Sequence, residues 1–142
     1  MTQSISSLHH NWVGKRLLIA EDDDLTCKLL RLILSPTGID CFWARTGLEA
    51  VNLAKEHDNI DLALLDIQMP ELDGISATEI LKQMNHRLPV IIQTAFAFNE
   101  YKTACQKAGC DEFITKPYEK TTLLQIMDQY LTLLFCFFCS FF

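Results

Sequence analysis

The positive charges gather nowhere along this chain. Its 12 Lys and Arg are scattered among 18 Asp and Glu, for a net charge of −6. That balance argues against a nucleic-acid-binding surface, which needs a basic face or stripe. No apolar run approaches the roughly 20 residues that a membrane-spanning helix requires; the nearest candidate, residues 131–142, is too short. The opening, Met1 to His10, is polar with no apolar core, so no secretory leader is expected there. A reducing, cytoplasmic setting is expected instead, where disulfides are rare. Cysteine itself is not scarce, but Cys27, Cys41 and Cys105 sit inside apolar periodic segments, where a free thiol behaves as a small hydrophobe. Cys136 and Cys139 have C-x-x-C spacing without a second pair or a nearby His, which disfavours a zinc or redox centre. His9, His10, His57 and His86 also lack ligand spacing, and no internal repeat is present.

What is there is a globular composition, 49% apolar and 21% charged, in a length that suits one domain. Residues 1–13, rich in Ser, Thr, Gln and His, are expected to form a disordered lead-in. Over residues 14–131, strand-like runs alternate with amphipathic helical stretches. Strands are predicted at Arg16–Ala20, Ile39–Ala44, Leu62–Leu65, Val90–Gln93 and Glu112–Thr115. The run at Leu62–Leu65 is wholly apolar, as expected of a strand buried on both faces. Between the strands, Leu25, Leu29, Leu30, Ile33 and Leu34 recur with helical spacing. Thr46 and Glu49 stand as a capping box, Gly74 opens a third helix, residues 99–108 form a fourth that stops at Gly109, and the last begins near Glu119.

Regular βα alternation implies a parallel sheet with helices on both faces. With five strands, the natural solution is a flavodoxin-like (βα)5 doubly wound fold with strand order 2-1-3-4-5. Ligands then bind beyond the carboxyl ends of strands 1 and 3. Glu21, Asp22 and Asp23 follow strand 1, Asp66 follows strand 3, Thr94 follows strand 4 and Lys116 follows strand 5. Acids converging there form a hard, oxygen-rich site suited to a divalent cation. Taken singly, each residue has a plainer explanation. The three acids could cap a helix, and Asp23 is assigned that task. Asp66 could be a structural acid, Thr94 an ordinary strand residue and Lys116 part of a surface turn. The convergence is what favours chemistry.

The residues at those strand ends, Leu18-Ile19-Ala20-Glu21-Asp22-Asp23, Asp66-Ile67-Gln68-Met69-Pro70-Glu71-Leu72-Asp73-Gly74, Pro89-Val90-Ile91-Ile92-Gln93-Thr94-Ala95 and Phe113-Ile114-Thr115-Lys116-Pro117, resemble the receiver domain of two-component response regulators. The resemblance covers residues 15–131. It implies that Asp66 is the phosphoacceptor, taking a phosphoryl group from phosphohistidine on a histidine kinase or histidine phosphotransfer domain. Such a protein catalyses its own phosphorylation and dephosphorylation. The resemblance also implies Mg²⁺ (Mn²⁺ as the alternative) on Asp22, Asp66 and the backbone carbonyl of Gln68, with Glu21 acting through water. Lys116 would pair with Asp66 and then with the phosphoryl oxygens. Thr94 would donate its hydroxyl to the phosphoryl group, and Phe113 would turn inward in response, changing the surface of the fourth helix, fifth strand and fifth helix. Met69, Pro70, Asp73, Gly74 and Pro117 would shape the loops, and partners would dock through Leu25, Lys28 and Leu29.

Glu21 in place of the usual first Asp resembles receivers attached to hybrid histidine kinases. Phe96, two residues past Thr94, is expected to shield an acyl phosphate and slow its hydrolysis. Two alternatives are weighed. A pseudo-receiver would bind partners without phosphorylation, but the intact acid pair, Thr94 and Lys116 argue against it. A haloacid dehalogenase-like phosphatase expects a second Asp two residues after the nucleophile, where Gln68 stands. The apolar tail, residues 132–142, is expected to extend the last helix and to serve dimerisation or partner contact. No output domain is expected after Leu131.

Overall fold

The computed structural model describes residues 10–139, with side chains described as far as Thr132. The chain runs β1 (Arg16–Ala20), α1 (Asp24–Leu34), β2 (Asp40–Ala44), α2 (Gly47–Glu56), β3 (Leu62–Asp66), α3 (Gly74–Met84), β4 (Val90–Thr94), α4 (Asn99–Ala108), β5 (Glu112–Thr115) and α5 (Lys120–Cys139). The five strands form one sheet in the order β2-β1-β3-β4-β5, and all four strand pairs are parallel. This is the flavodoxin-like order that the βα alternation predicts.

Strand residues alternate between two apolar layers, as the two-residue period of a strand requires. Leu17, Ile19, Leu62, Leu64, Ile91 and Ile114 pack with Leu30, Ile33 and Leu34 of α1 and with Leu123 and Met127 of α5. Leu18, Ala63, Leu65, Val90 and Ile92 pack with Val51 of α2, Ala77 and Leu81 of α3 and Cys105 of α4. Burying one such Leu or Ile is worth ~1.5–3 kcal/mol, so the alternation holds every strand firmly in register. The same burial puts the strand ends, where the polar residues lie, at one edge of the sheet.

Several details differ from the sequence-based expectations. β3 and β4 each run one residue further, so Asp66 and Thr94 belong to the sheet itself. Of the apolar residues assigned to α1's stripe, Leu25 and Leu29 face outward, 76% and 50% exposed. Thr46 caps α2 through the Glu49 N–H, but Glu49 Oε2 accepts from the Arg45 N–H, one residue before the position a capping box predicts. Residues 10–13, assigned to the lead-in, are described and include a core residue. Trp12 is buried in the α1/α5 layer, its N–H donates to the Thr37 carbonyl, and its indole N–H donates to Asp128. Large apolar area and a satisfied indole N–H tie that segment down. α5 is 20 residues long, and no helix among the described residues is long and apolar enough to cross a membrane. The side chains past Thr132, where the association patch was expected, lie outside the described residues.

Candidate functional site

Backbone geometry around Asp66 is set by the loop that follows it. Gly74 starts α3 directly against that strand end, with its N–H donating to the Ile67 carbonyl at 2.8 Å. A Cβ on Gly74 would lie 1.9 Å from the Asp66 carbonyl oxygen, so only glycine permits this approach. Asp73 caps α3, accepting from the Ser76 N–H at 2.8 Å. Between them the chain turns tightly. The Pro70 carbonyl accepts from the Leu72 N–H, Glu71 adopts a left-handed backbone with φ 68°, and Met69 packs on the α2–α4 layer. Asp23 caps α1, accepting from both the N–H and the hydroxyl of Thr26. Those bonds hold its carboxyl below the usual range.

Glu21, Asp22 and Asp66 each bring a carboxylate oxygen within 4.8 Å of the others. They line an open cleft of about 810 Å³ together with Gln68, Met69, Asp73, Ala95 and Lys116. Glu21 is fully buried, Asp66 nearly so, and Asp22 is exposed. The Lys116 ammonium bridges two of the acids, 2.7 Å from Glu21 Oε2 and 3.3 Å from Asp66 Oδ2. The sequence assigned Lys116 to Asp66; the nearer partner is Glu21. Burial pushes the Glu21 carboxyl above its usual range, the hydrogen bond from Lys116 opposes this, and the Asp66 charge adds to it. Burial also disfavours the Lys116 charge, but the hydrogen bond to Glu21 and the two negative charges outweigh it and leave its pKa raised.

Thr94 is fully buried, and its Oγ1 accepts from the Phe96 N–H at 3.2 Å. Phe113 is half-buried on the same face of the sheet as Thr94, with Lys102 Nζ 5.7 Å from its ring centre. Pro117 follows Lys116 through a cis peptide bond. Phe96 does not line the cleft. It is 40% exposed, and its ring stacks on Phe98 at 6.3 Å between centroids. The expected shield is therefore turned outward here.

Two participants, Gln93 and Tyr118, are not among the residues to which the sequence motifs assign a role. Gln93 is fully buried at the end of β4, with its Nε2 3.4 Å from Glu21 Oε2. The Tyr118 hydroxyl donates to Gln93 Oε1, and burial keeps that hydroxyl protonated far above its usual range. The available signal was a polar residue in the otherwise apolar run Val90-Ile91-Ile92-Gln93.

A family model described as "Response regulator receiver domain" matches residues 17–128. The chain belongs to the response-regulator receiver family. Among curated relatives, this receiver is 38% identical over 120 residues to the polar-differentiation response regulators DivK of Brucella ovis and Brucella suis, covering 82% of this chain and 96% of theirs. Among solved structures, the receiver resembles a chain of the CheX–CheY–BeF3–Mg²⁺ complex from Borrelia burgdorferi. Identity is 30% and the TM-score 0.78, over 85% of this chain and 94% of that one. It also resembles the receiver domain of a sensor histidine kinase from Pseudomonas aeruginosa with a magnesium ion coordinated in its active-site cleft. There the identity is 27% and the TM-score 0.77, over 83% of this chain and 98% of that one.

Proposed function

We propose that this receiver accepts a phosphoryl group on the carboxylate of Asp66, donated by phosphohistidine on a histidine kinase or histidine phosphotransfer domain. The observation that carries the proposal is the placement of Asp66 in a cleft with two further acids and one bridging ammonium. An Asp66 oxygen attacks phosphorus, the phosphorus–nitrogen bond breaks, and the imidazole leaves with the electron pair. Little covalent work falls to the protein, so its contribution is positioning and charge compensation. Lys116 acts as a point charge that can follow the incoming oxygens.

The oxygen donors fit a hard divalent ion. Asp22, Asp66 and the Gln68 carbonyl would hold Mg²⁺, or Mn²⁺, with Glu21 acting through water. When bound, the ion offsets the crowded negative charge against which a phosphoryl group must approach. Glu21 is less free for that role than the sequence suggested, because Lys116 and Gln93 both occupy its Oε2.

Phosphorylation adds roughly −1.5 to −2 charge and strong acceptor oxygens. Thr94 uses its oxygen as an acceptor, which leaves its own hydrogen for those acceptors. Reaching them requires the turn at residues 94–96 to shift, and Phe113, on the same face, is placed to respond. The output would be a changed surface of α4, β5 and α5, a two-state element biased by a local charge. Docking through α1 is supported by the outward Leu25 and Leu29 and by an apolar groove of about 250 Å³ that joins Leu29 to Pro117 and Tyr118 beside the cleft. Residues 132–142 are proposed as a further association segment, and the resemblance favours a hybrid kinase as the parent of the domain.

Incubation of the chain with acetyl phosphate and Mg²⁺, followed by intact-mass analysis, tests the main claim. A gain of one phosphoryl group that is lost in Asp66→Asn is expected. A gain that persists in the variant, or no gain in the wild type, overturns it.

A further inference from the structure

Two side chains without a role in the phosphoryl-transfer scheme hold the acid cluster from behind. All of Glu21's hydrogen bonds are internal. Oε1 accepts from the Asp23 N–H at 3.2 Å, and Oε2 accepts from Lys116 at 2.7 Å and from Gln93 Nε2 at 3.4 Å. Gln93 stands beside Asp66 in the β3–β4 register. A side-chain amide can turn either its oxygen or its NH₂ outward, and only the NH₂ suits a neighbouring carboxylate. The choice is made at the far end. Tyr118 donates its hydroxyl hydrogen to Gln93 Oε1, which leaves the NH₂ facing Glu21. Tyr118 lies two residues past Lys116, so the segment that carries the ammonium also carries the group that orients its partner.

We propose that Gln93 and Tyr118 are positioning residues for phosphoryl transfer. The chain Tyr118–Gln93–Glu21–Lys116 fixes the ammonium against Asp66. The proposal rests on Asp66 being the phosphoacceptor. Without the Gln93 donor the Glu21 carboxylate is held by the Asp23 N–H and Lys116 alone, so it is less firmly oriented, and Lys116 moves with it. Lys116 acts on the transferred group, whereas the cation would be held directly by Asp22, Asp66 and the Gln68 carbonyl and would meet Glu21 only through water. Loss of Gln93 or Tyr118 therefore lowers the transfer rate at saturating Mg²⁺ and spares Mg²⁺ affinity. A merely structural role would lower the phosphorylatable fraction without this split.

The test uses the full chain as wild type, Gln93→Leu, Tyr118→Phe and the double variant. Rates with acetyl phosphate at saturating Mg²⁺ are followed by intact mass, and the Mg²⁺ Kd is measured by calorimetry. Tyr118→Phe is expected to slow uptake about threefold and Gln93→Leu about tenfold, with Kd within about twofold of wild type. Because Tyr118 acts only through Gln93, the double variant should be no slower than Gln93→Leu. If Gln93→Leu fails to fold, Tyr118→Phe alone carries the rate and Kd comparison. Variants within about twofold of the wild-type rate, a Kd that rises in step with the rate loss, or two effects that multiply each overturn the positioning role while Asp66 phosphorylation stands. A wild type not phosphorylated on Asp66 overturns both.

Discussion

Lys116 lies nearer to Glu21 than to Asp66, with its Nζ 2.7 Å from the first carboxylate and 3.3 Å from the second. The fully buried acid, rather than the proposed phosphoacceptor, is its main partner. Lys116→Met therefore leaves a buried carboxylate without its bridging cation. A loss of about 1–3 kcal/mol is expected, seen as an earlier urea midpoint at neutral pH without Mg²⁺. Asp66→Asn should act in the opposite direction. It removes a like charge beside Glu21 and should raise the midpoint, corresponding to up to about 1 kcal/mol of stability.

Chelation gives a second check. A cation that binds only the folded state stabilises it by mass action, about 1.4 kcal/mol at ten times its Kd. Adding Mg²⁺ after chelator treatment should raise the wild-type unfolding free energy, measured by urea titration, by that amount and raise that of Asp66→Asn by much less. Equal gains in the two proteins would show that the cation binds elsewhere.

Gly74→Ala tests the close approach of α3 to β3. The new methyl would meet the Asp66 carbonyl, which is backbone and cannot step aside without moving the strand end. A stability loss of about 1–3 kcal/mol is expected, together with slower phosphoryl uptake from acetyl phosphate. Unchanged stability would mean that the loop has slack the structure does not show.

Cys41 and Cys105 offer a test at alkaline pH. Burial raises their thiols from 9.0 to about 11 and about 12 respectively, with nearby Asp40 and Cys110 adding to it. Above pH 9 the unfolded chain loses protons that the folded chain keeps. Stability is therefore present in full below that pH and falls as pH rises towards 11. The urea midpoint should be lower at pH 10 than at pH 8. Iodoacetamide mapping at pH 8 should label Cys105, which has no exposed surface, only after unfolding.

The parallel sheet was legible because the strands are short apolar runs whose burial on both faces leaves a strong compositional mark. The acids, Thr94 and Lys116 were legible because each ends its strand. The inner side of α1 was not. Leu25, Leu29 and Leu32 lie on solvent while Leu30, Ile33 and Leu34 lie inside, and a helix with apolar residues on more than one side does not declare which side is buried. Trp12 was read with its polar neighbours, although a large aromatic at a domain edge tends to find a core. Lys116's preference for Glu21 and the Gln93–Tyr118 pair depend on side-chain directions across three strands and a turn. Composition and periodicity do not encode those directions.

β4 is the strand on which neighbouring residues serve the site from opposite sides. Ile91 and Ile92 alternate between the two apolar layers, so Gln93 faces the acids on the α1/α5 side and Thr94 faces away, towards the α2–α4 side where Phe113 lies. A shift of that single strand by one position would exchange amide and hydroxyl between the layers. Under the proposed function the strand would be a two-sided gauge, with Gln93 on the side where Asp66 is held and Thr94 on the side of the helices proposed to change.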